Sequence, residues 1–131
     1  MKIKEIVTYI VIILIGIIVA QHMNVVVSGS MEPALHRGDI VIVDNNPGPV
    51  QVGDIIVYKA DGFPHPVIHR VIYTGKTPGG DTFFVTKGDN NPSPDPVAVD
   101  PDQIISRAVS INDAPLVIPK IGHMTLWIRG L

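Results

Sequence analysis

Near the N-terminus apolar residues run on almost without a break; beyond it they come in short bursts cut by turn residues. Ile6 to Ala20 (IVTYIVIILIGIIVA) carries no charge, follows Lys2 and Lys4, and has Tyr9 near one end. Such a run is expected to be a helix in lipid. At about 1.5 Å per residue it falls short of the ~30 Å hydrocarbon core, and Met23 with Val25-Val26-Val27 is expected to lengthen it. A cleavable signal peptide is the competing reading, but Ala20 preceded by Ile18 is a poor small-x-small site, so an uncleaved anchor is preferred. Lysines before the span and none directly after it put the N-terminus in the cytoplasm and the rest outside.

After His22 the period shortens to that of strands. Asp39 to Asp44 (DIVIVD), Asp54 to Lys59 (DIIVYK), Pro66 to Tyr73 (PVIHRVIY), Thr82 to Lys87 (TFFVTK) and Gln103 to Ile111 (QIISRAVSI) are rich in β-branched and aromatic residues. Gly38-Asp39, Gly53-Asp54, Pro78-Gly79-Gly80-Asp81 and Gly88-Asp89-Asn90-Asn91-Pro92 supply the turns between them. The fold class expected is mainly β: a small antiparallel, folded-over β domain behind one N-terminal transmembrane helix. Strands apolar on both faces suit a folded-over sheet, or one resting on a bilayer. The end, Ile118 to Leu131, sets Trp127 and Leu131 among basic residues, the composition of a membrane-proximal segment or of a plain strand.

Composition narrows the chemistry. The chain has 131 residues and a formal charge of -2, with no basic stripe interleaved with aromatics, so a nucleic-acid partner is excluded. The absence of cysteine removes disulfides, Cys-ligated zinc and a thiol nucleophile together. No cofactor or metal is expected.

Three weak signals remain. Ser28-Gly29-Ser30-Met31-Glu32-Pro33 follows the membrane segment directly, where a serine nucleophile would sit close to the membrane surface. Ser-Gly-Ser alone is also common in polar loops. A serine hydroxyl needs a base. Of five histidines only His69 lies inside a strand, on a face shared with Val67 and Val71, although a lone strand histidine is often structural. An imidazole base in turn needs a carboxylate on its other nitrogen; Asp89 and Asp95 are both candidates, and Asp89 also suits a turn cap.

In order along the chain, these segments resemble the type I signal peptidase family in its archaeal and endoplasmic reticulum branch. Its S-G-S-M-x-P box, G-D-x-x-x-V strand, H-R-V strand end and G-D-N box closing with an aspartate appear as Ser28 to Pro33, Gly38 to Val43, His69-Arg70-Val71 and Gly88 to Asp95, so the likeness spans most of residues 6 to 110. The resemblance implies that Ser30 is the nucleophile and that Ser28 with the Ser30 N–H forms the oxyanion hole. It also implies that His69 stands where bacterial relatives carry lysine, that Asp95 is the third catalytic residue, and that Asp89 supports the site.

The implied activity is that of a membrane-bound serine endopeptidase removing signal peptides at small-x-small sites of secretory preproteins. Membrane lipid and the protein-translocation machinery are its expected partners. Residues 1–23 then form the cytoplasmic N-terminus and anchor, 24–117 the peptidase domain and 118–131 a membrane-proximal segment; the location implied is the plasma membrane, single-pass, with the catalytic domain on its outer face. Relatives often continue into a second membrane segment, whereas this sequence ends at Leu131, and Pro92-Ser93-Pro94 is a stiff approach to Asp95. Two rivals stay open: a self-cleaving repressor-type peptidase using Lys59 or Lys87, and a non-catalytic membrane-tethered module or accessory subunit.

Overall fold

A computed structural model of the chain describes residues 2–46 and 48–119. Helix α1 (Ile3–Gln21) has 19 residues, none of them buried against the rest of the protein. At about 1.5 Å per residue it measures about 28 Å, close to the thickness of a hydrocarbon core. It is long and apolar enough to cross a membrane. The extra length comes from the N-terminal side, where Ile3, Lys4 and Glu5 join the helix.

It does not come from the other side, and here the sequence reading is corrected. Met23 and the valines after it do not extend the helix; Met23–Val25 is strand β1. Consecutive β-branched residues are stiff at χ1 and favour extended backbone, and a partner strand stands ready to take their hydrogen bonds. The helix therefore ends abruptly at a joint. The His22 carbonyl accepts the Val43 N–H at 2.7 Å, and the Gln21 carbonyl accepts the Asn45 amide at 2.6 Å.

Strands β2 (Ile40–Asp44), β3 (Ile55–Tyr58), β4 (Val67–Lys76), β5 (Thr82–Lys87) and β6 (Ile104–Ala108) follow the apolar bursts closely. All pairings are antiparallel, in the order β1-β2-β6-β3-β4-β5. The last expected strand is broken. Val109 leaves the ladder to bond Ile42 and Leu116, and the chain turns through β7 (Ser110–Ile111) and β8 (Ala114–Pro115). Asn112 and Asp113, both at positive φ (53° and 66°), make that turn, a conformation these two residue types tolerate well. Strand β9 (Val117–Ile118) then pairs with the start of β2, while β6 pairs with its end. Because β2 is shared in this way, the sheet folds over on itself.

Side chains alternate across a strand, so the folded sheet holds two apolar clusters. One gathers Val26, Met31, Leu35, Val41, Val43, Ile55, Val57, Ile68 and Ala108; the other gathers Ile56, Tyr58, Val71, Phe84 and Val99. Strand β3 feeds both and is buried along its whole length. The expected membrane-proximal segment with Trp127 and Leu131 lies outside the described residues, apart from its first two positions.

Candidate active site

Ser30 sits in the turn between β1 and β2. Two of its near neighbours, Met31 and Leu35, are fully buried in the first cluster, so the turn is pinned by apolar packing on one side. On the other side the loop after β5 grips it. The Asn90 N–H donates to the Ser30 carbonyl at 2.8 Å, the Asn90 side-chain amide donates to the Gly29 carbonyl at 3.2 Å, and the Asp89 N–H points at the Met31 sulfur at 3.4 Å. The nucleophile candidate is thus held by a short turn and a crossing loop.

His69 lies on β4 opposite Ile56 of β3, with its side chain largely buried. Its Nε2 is 3.1 Å from Ser30 Oγ, and its Nδ1 is 2.6 Å from Asp95 Oδ2. A carboxylate only accepts, so the ring proton belongs on Nδ1, which leaves Nε2 as an acceptor for the serine hydroxyl. Ser28 Oγ lies 3.0 Å from Ser30 Oγ and 3.4 Å from the Ser30 N–H. With the Ser30 proton directed at His69, the Ser28 hydroxyl donates toward the Ser30 Oγ, while the Ser28 oxygen accepts the Ser30 N–H. A hydroxyl and a peptide N–H, both donors, thus lie together beside Ser30 Oγ.

The structure divides the two aspartates. Asp95 meets His69, whereas Asp89 takes Arg70 in a bidentate pair, Nε and Nη2 each at 2.9 Å, while Arg70 Nη1 donates to the Gly53 carbonyl. The hydrogen bonds to Asp89 outweigh partial burial and raise the Arg70 guanidinium above its ordinary value. The lysines are elsewhere: Lys87 Nζ donates to the Gly88 carbonyl at 3.2 Å, and Lys59 is exposed.

Three contributors were not singled out from sequence. Thr86 and Tyr58 both reach Asp95 Oδ2, at 2.6 Å and 3.2 Å, and Gly88 gives the crossing loop room against the Ser30 carbonyl. Their signal was the period of two: Tyr58 and Thr86 are polar groups at inward positions of apolar strands, where a hydroxyl needs a partner. Burial, above all, pushes the Tyr58 phenol up from 10.0 to about 12; the Thr86 hydrogen bond opposes that and the Asp95 charge adds to it. Tyr58 accordingly stays a proton donor across the neutral range.

A cavity of ≈ 680 Å³ opens beside Ser30 and His69, walled by apolar side chains that include Val27, Phe63, Val97 and Val99. No group of three or more metal-ligating side chains occurs among the described residues.

Comparison with known proteins supplies context. Residues 2–87 match the family model described as signal peptidase, peptidase S26. That stretch contains Ser28, Ser30 and His69 and stops before Asp89 and Asp95. The uncharacterized protein MJ0260 of Methanocaldococcus jannaschii is 33% identical over 82% of this chain and 84% of its own length. The signal peptidase complex catalytic subunit SEC11 of Saccharomyces cerevisiae is 35% identical over 83% of this chain and 66% of its own. The subunit SEC11C of Canis lupus familiaris is 50% identical over 51% of this chain, a match that takes in 35% of that relative. This chain thus spans only part of the SEC11-type relatives.

Proposed function

We propose, from the premise that this chain belongs to the signal peptidase family, peptidase S26, that it is a membrane-bound serine endopeptidase removing N-terminal signal peptides from secreted preproteins. The observation that carries the proposal is the Ser30–His69–Asp95 relay, with contacts of 3.1 Å and 2.6 Å.

In the reaction, Ser30 Oγ attacks the scissile carbonyl while its proton passes to His69 Nε2. Asp95 steadies the imidazolium that forms. The carbonyl oxygen, now negative, is received by the Ser30 N–H and the Ser28 hydroxyl. Collapse of the tetrahedral intermediate breaks the C–N bond, and the leaving amine takes the proton from Nε2. Water then gives a proton to His69 and attacks the acyl-serine; as the ester C–O bond breaks, the proton on Nε2 passes to Ser30 Oγ, freeing the serine and the signal peptide's new carboxyl group. The Arg70–Asp89 pair supports the site by tying β4 to the crossing loop.

A substrate segment ahead of the cut would add to β1, an edge strand. Its small side chains at the first and third positions would enter the apolar cavity beside Ser30. Residues 1–23 act as cytoplasmic N-terminus and anchor, 24–117 as the peptidase domain and 118–131 as a membrane-proximal segment. Lys2 and Lys4 ahead of the helix support a single pass of the plasma membrane with the catalytic domain outside. Membrane lipid and the translocation machinery are the further partners of this reading. Partner subunits also belong to it, because the SEC11 relatives are named as subunits of a complex.

The test is cleavage of a preprotein carrying an Ala-x-Ala site, with a serine-reactive probe in parallel. Ser30→Ala is expected to lose both cleavage and labelling while staying folded and membrane-bound, and Ser28→Ala to lose roughly 10² to 10³ in rate. Labelling that survives Ser30→Ala removes Ser30 from the mechanism. Absence of labelling in the wild type leaves a non-catalytic membrane-tethered β module. Protease added from outside should cut the exposed Gly79-Gly80 turn and spare Lys2; the reverse pattern overturns the orientation.

A further inference from the structure

Asp95 lies in a loop between Pro94 and Pro96, away from any strand ladder, so its carboxylate needs other means to hold one orientation. Its oxygen Oδ2 is the meeting point of three groups. His69 Nδ1 and Thr86 Oγ1 each stand at 2.6 Å and Tyr58 OH at 3.2 Å. Thr86 also holds the residue by its main chain, since the Thr86 carbonyl accepts the Asp95 N–H at 2.8 Å. Both ends of Asp95 are therefore fixed to one residue of β5.

The geometry points to Thr86 and Tyr58 as positioning residues that lock the Asp95 carboxylate onto His69 and thereby fix the tautomer the base must hold. This rests on the reading of Ser30, His69 and Asp95 as the reacting set. Thr86 is completely buried and Tyr58 nearly so, on two strands of the same sheet, which makes them rigid supports. The Tyr58 ring also meets the His69 ring edge-on, centroids 6.5 Å apart at 67°, so one side chain bears on both base and acid. Its single proton lies between Asp95 Oδ2 and Thr86 Oγ1, each at 3.2 Å, while the Thr86 proton is committed to Asp95.

The chemical consequence follows from the donors. Two hydroxyls donating to Oδ2 hold the carboxylate turned toward His69, so the Nδ1 proton of the imidazole keeps its acceptor. Nε2 is then free to accept from Ser30. Without the hydroxyls the carboxylate can rotate away, and a histidine in the wrong tautomer cannot act as base toward serine. A merely structural threonine would gain as much by bonding a strand carbonyl; this one turns to the catalytic carboxylate.

The experiment is steady-state kinetics of the full chain in lipid vesicles on an Ala-x-Ala preprotein. Thr86→Val, Thr86→Ser and Tyr58→Phe are made in the wild type and in Asp95→Ala, with thermal unfolding as a control. Thr86→Val should lower kcat roughly 10- to 100-fold, as loss of a hydrogen bond to a charged group implies, and leave KM in place. Thr86→Ser should recover most of the rate although it loses a buried methyl, and Tyr58→Phe should cost less than Thr86→Val. In the Asp95→Ala background neither Thr86→Val nor Tyr58→Phe should lower kcat further. Full kcat in Thr86→Val, or an equal added loss on Asp95→Ala, overturns the inference. If Thr86→Val does not fold, Tyr58→Phe decides by the same comparison. Cleavage by Ser30→Ala would instead overturn the reading of the site, whereas a dead Ser30→Ala beside a fully active Thr86→Val overturns only the positioning role.

Discussion

The Asn90 N–H donates to the Ser30 carbonyl at 2.8 Å, so the loop that leads to Asp95 also holds the peptide of the proposed nucleophile. Serine and aspartate are consequently placed by one piece of chain, and an error in that loop moves both.

Gly88 is where that arrangement is tightest. A Cβ there would stand 2.6 Å from the Ser30 carbonyl oxygen and 2.8 Å from Asn91 Nδ2, and the first of these is backbone that cannot swing aside. Gly88→Ala should push the nucleophile turn away from His69 and lower kcat by roughly 100-fold, the scale of a 1 Å misplacement. Wild-type kcat in this variant would show that the close approach is dispensable.

The identity of the base is the most discriminating chemical question. His69→Ala should be nearly inactive, and His69→Lys should not rescue it, because the longer stem carries the amine past Ser30 and Asp95 would keep it charged. Near-normal activity of His69→Ala together with a dead Lys59→Ala or Lys87→Ala would replace the Ser/His assignment with Ser/Lys.

Met31 anchors the nucleophile turn in the first apolar cluster and is only 1% exposed. Met31→Ala should destabilise the domain by about 2 to 5 kcal/mol, the usual range for emptying a buried aliphatic site. Urea unfolding would read this directly. The same variant should lose activity at temperatures where it is still folded, because its cavity lies next to Ser30; a stability loss with unchanged kcat would separate the two roles.

Alkaline stability reports on Tyr58. An unfolded chain gives up this proton near pH 10.0, whereas the folded one keeps it to about 12, so the folded state holds more protons in that window. Unfolding free energy therefore falls as the pH rises from 10.0 to about 12, and the contribution is fully present below it. Tyr58→Phe should flatten that part of a urea-midpoint against pH curve, and a curve unchanged by the substitution would place the burial of the phenol in doubt.

Much of this was legible in the chain because its signals are local. Apolar bursts between Gly-Asp turns mark β2, β3 and β5 nearly to the residue and β4 up to Tyr73, three residues short of its end at Lys76, since turn chemistry and strand period are read within a few positions. The helix end was not legible: Met23 and Val25 are apolar enough for lipid, and only the presence of β2 in space makes them a strand. The break at Val109 likewise depends on Ile42 and Leu116, partners far off in sequence. At the site, Ser30 and His69 stood out by motif, and the residues alone left Asp89 and Asp95 open while the family resemblance pointed to Asp95, the one that faces the imidazole. Thr86 and Tyr58 passed unnoticed because a hydroxyl inside an apolar strand reads as filler until the carboxylate above it is seen.

The joint between α1 and β1 has a consequence of scale. Hydrogen bonds from Val43 and Asn45 clasp the last carbonyls of the helix, and Ser30 follows β1 within one turn. On the proposed reading, with α1 in the bilayer, a clasp of that kind works as a ruler: it would set the height at which a peptide bond is cut. Small-x-small sequences are common in proteins, and most of them lie in folded domains that never come to that height. On that reading such proteins would be spared by distance, whatever their sequence offers to the cleft.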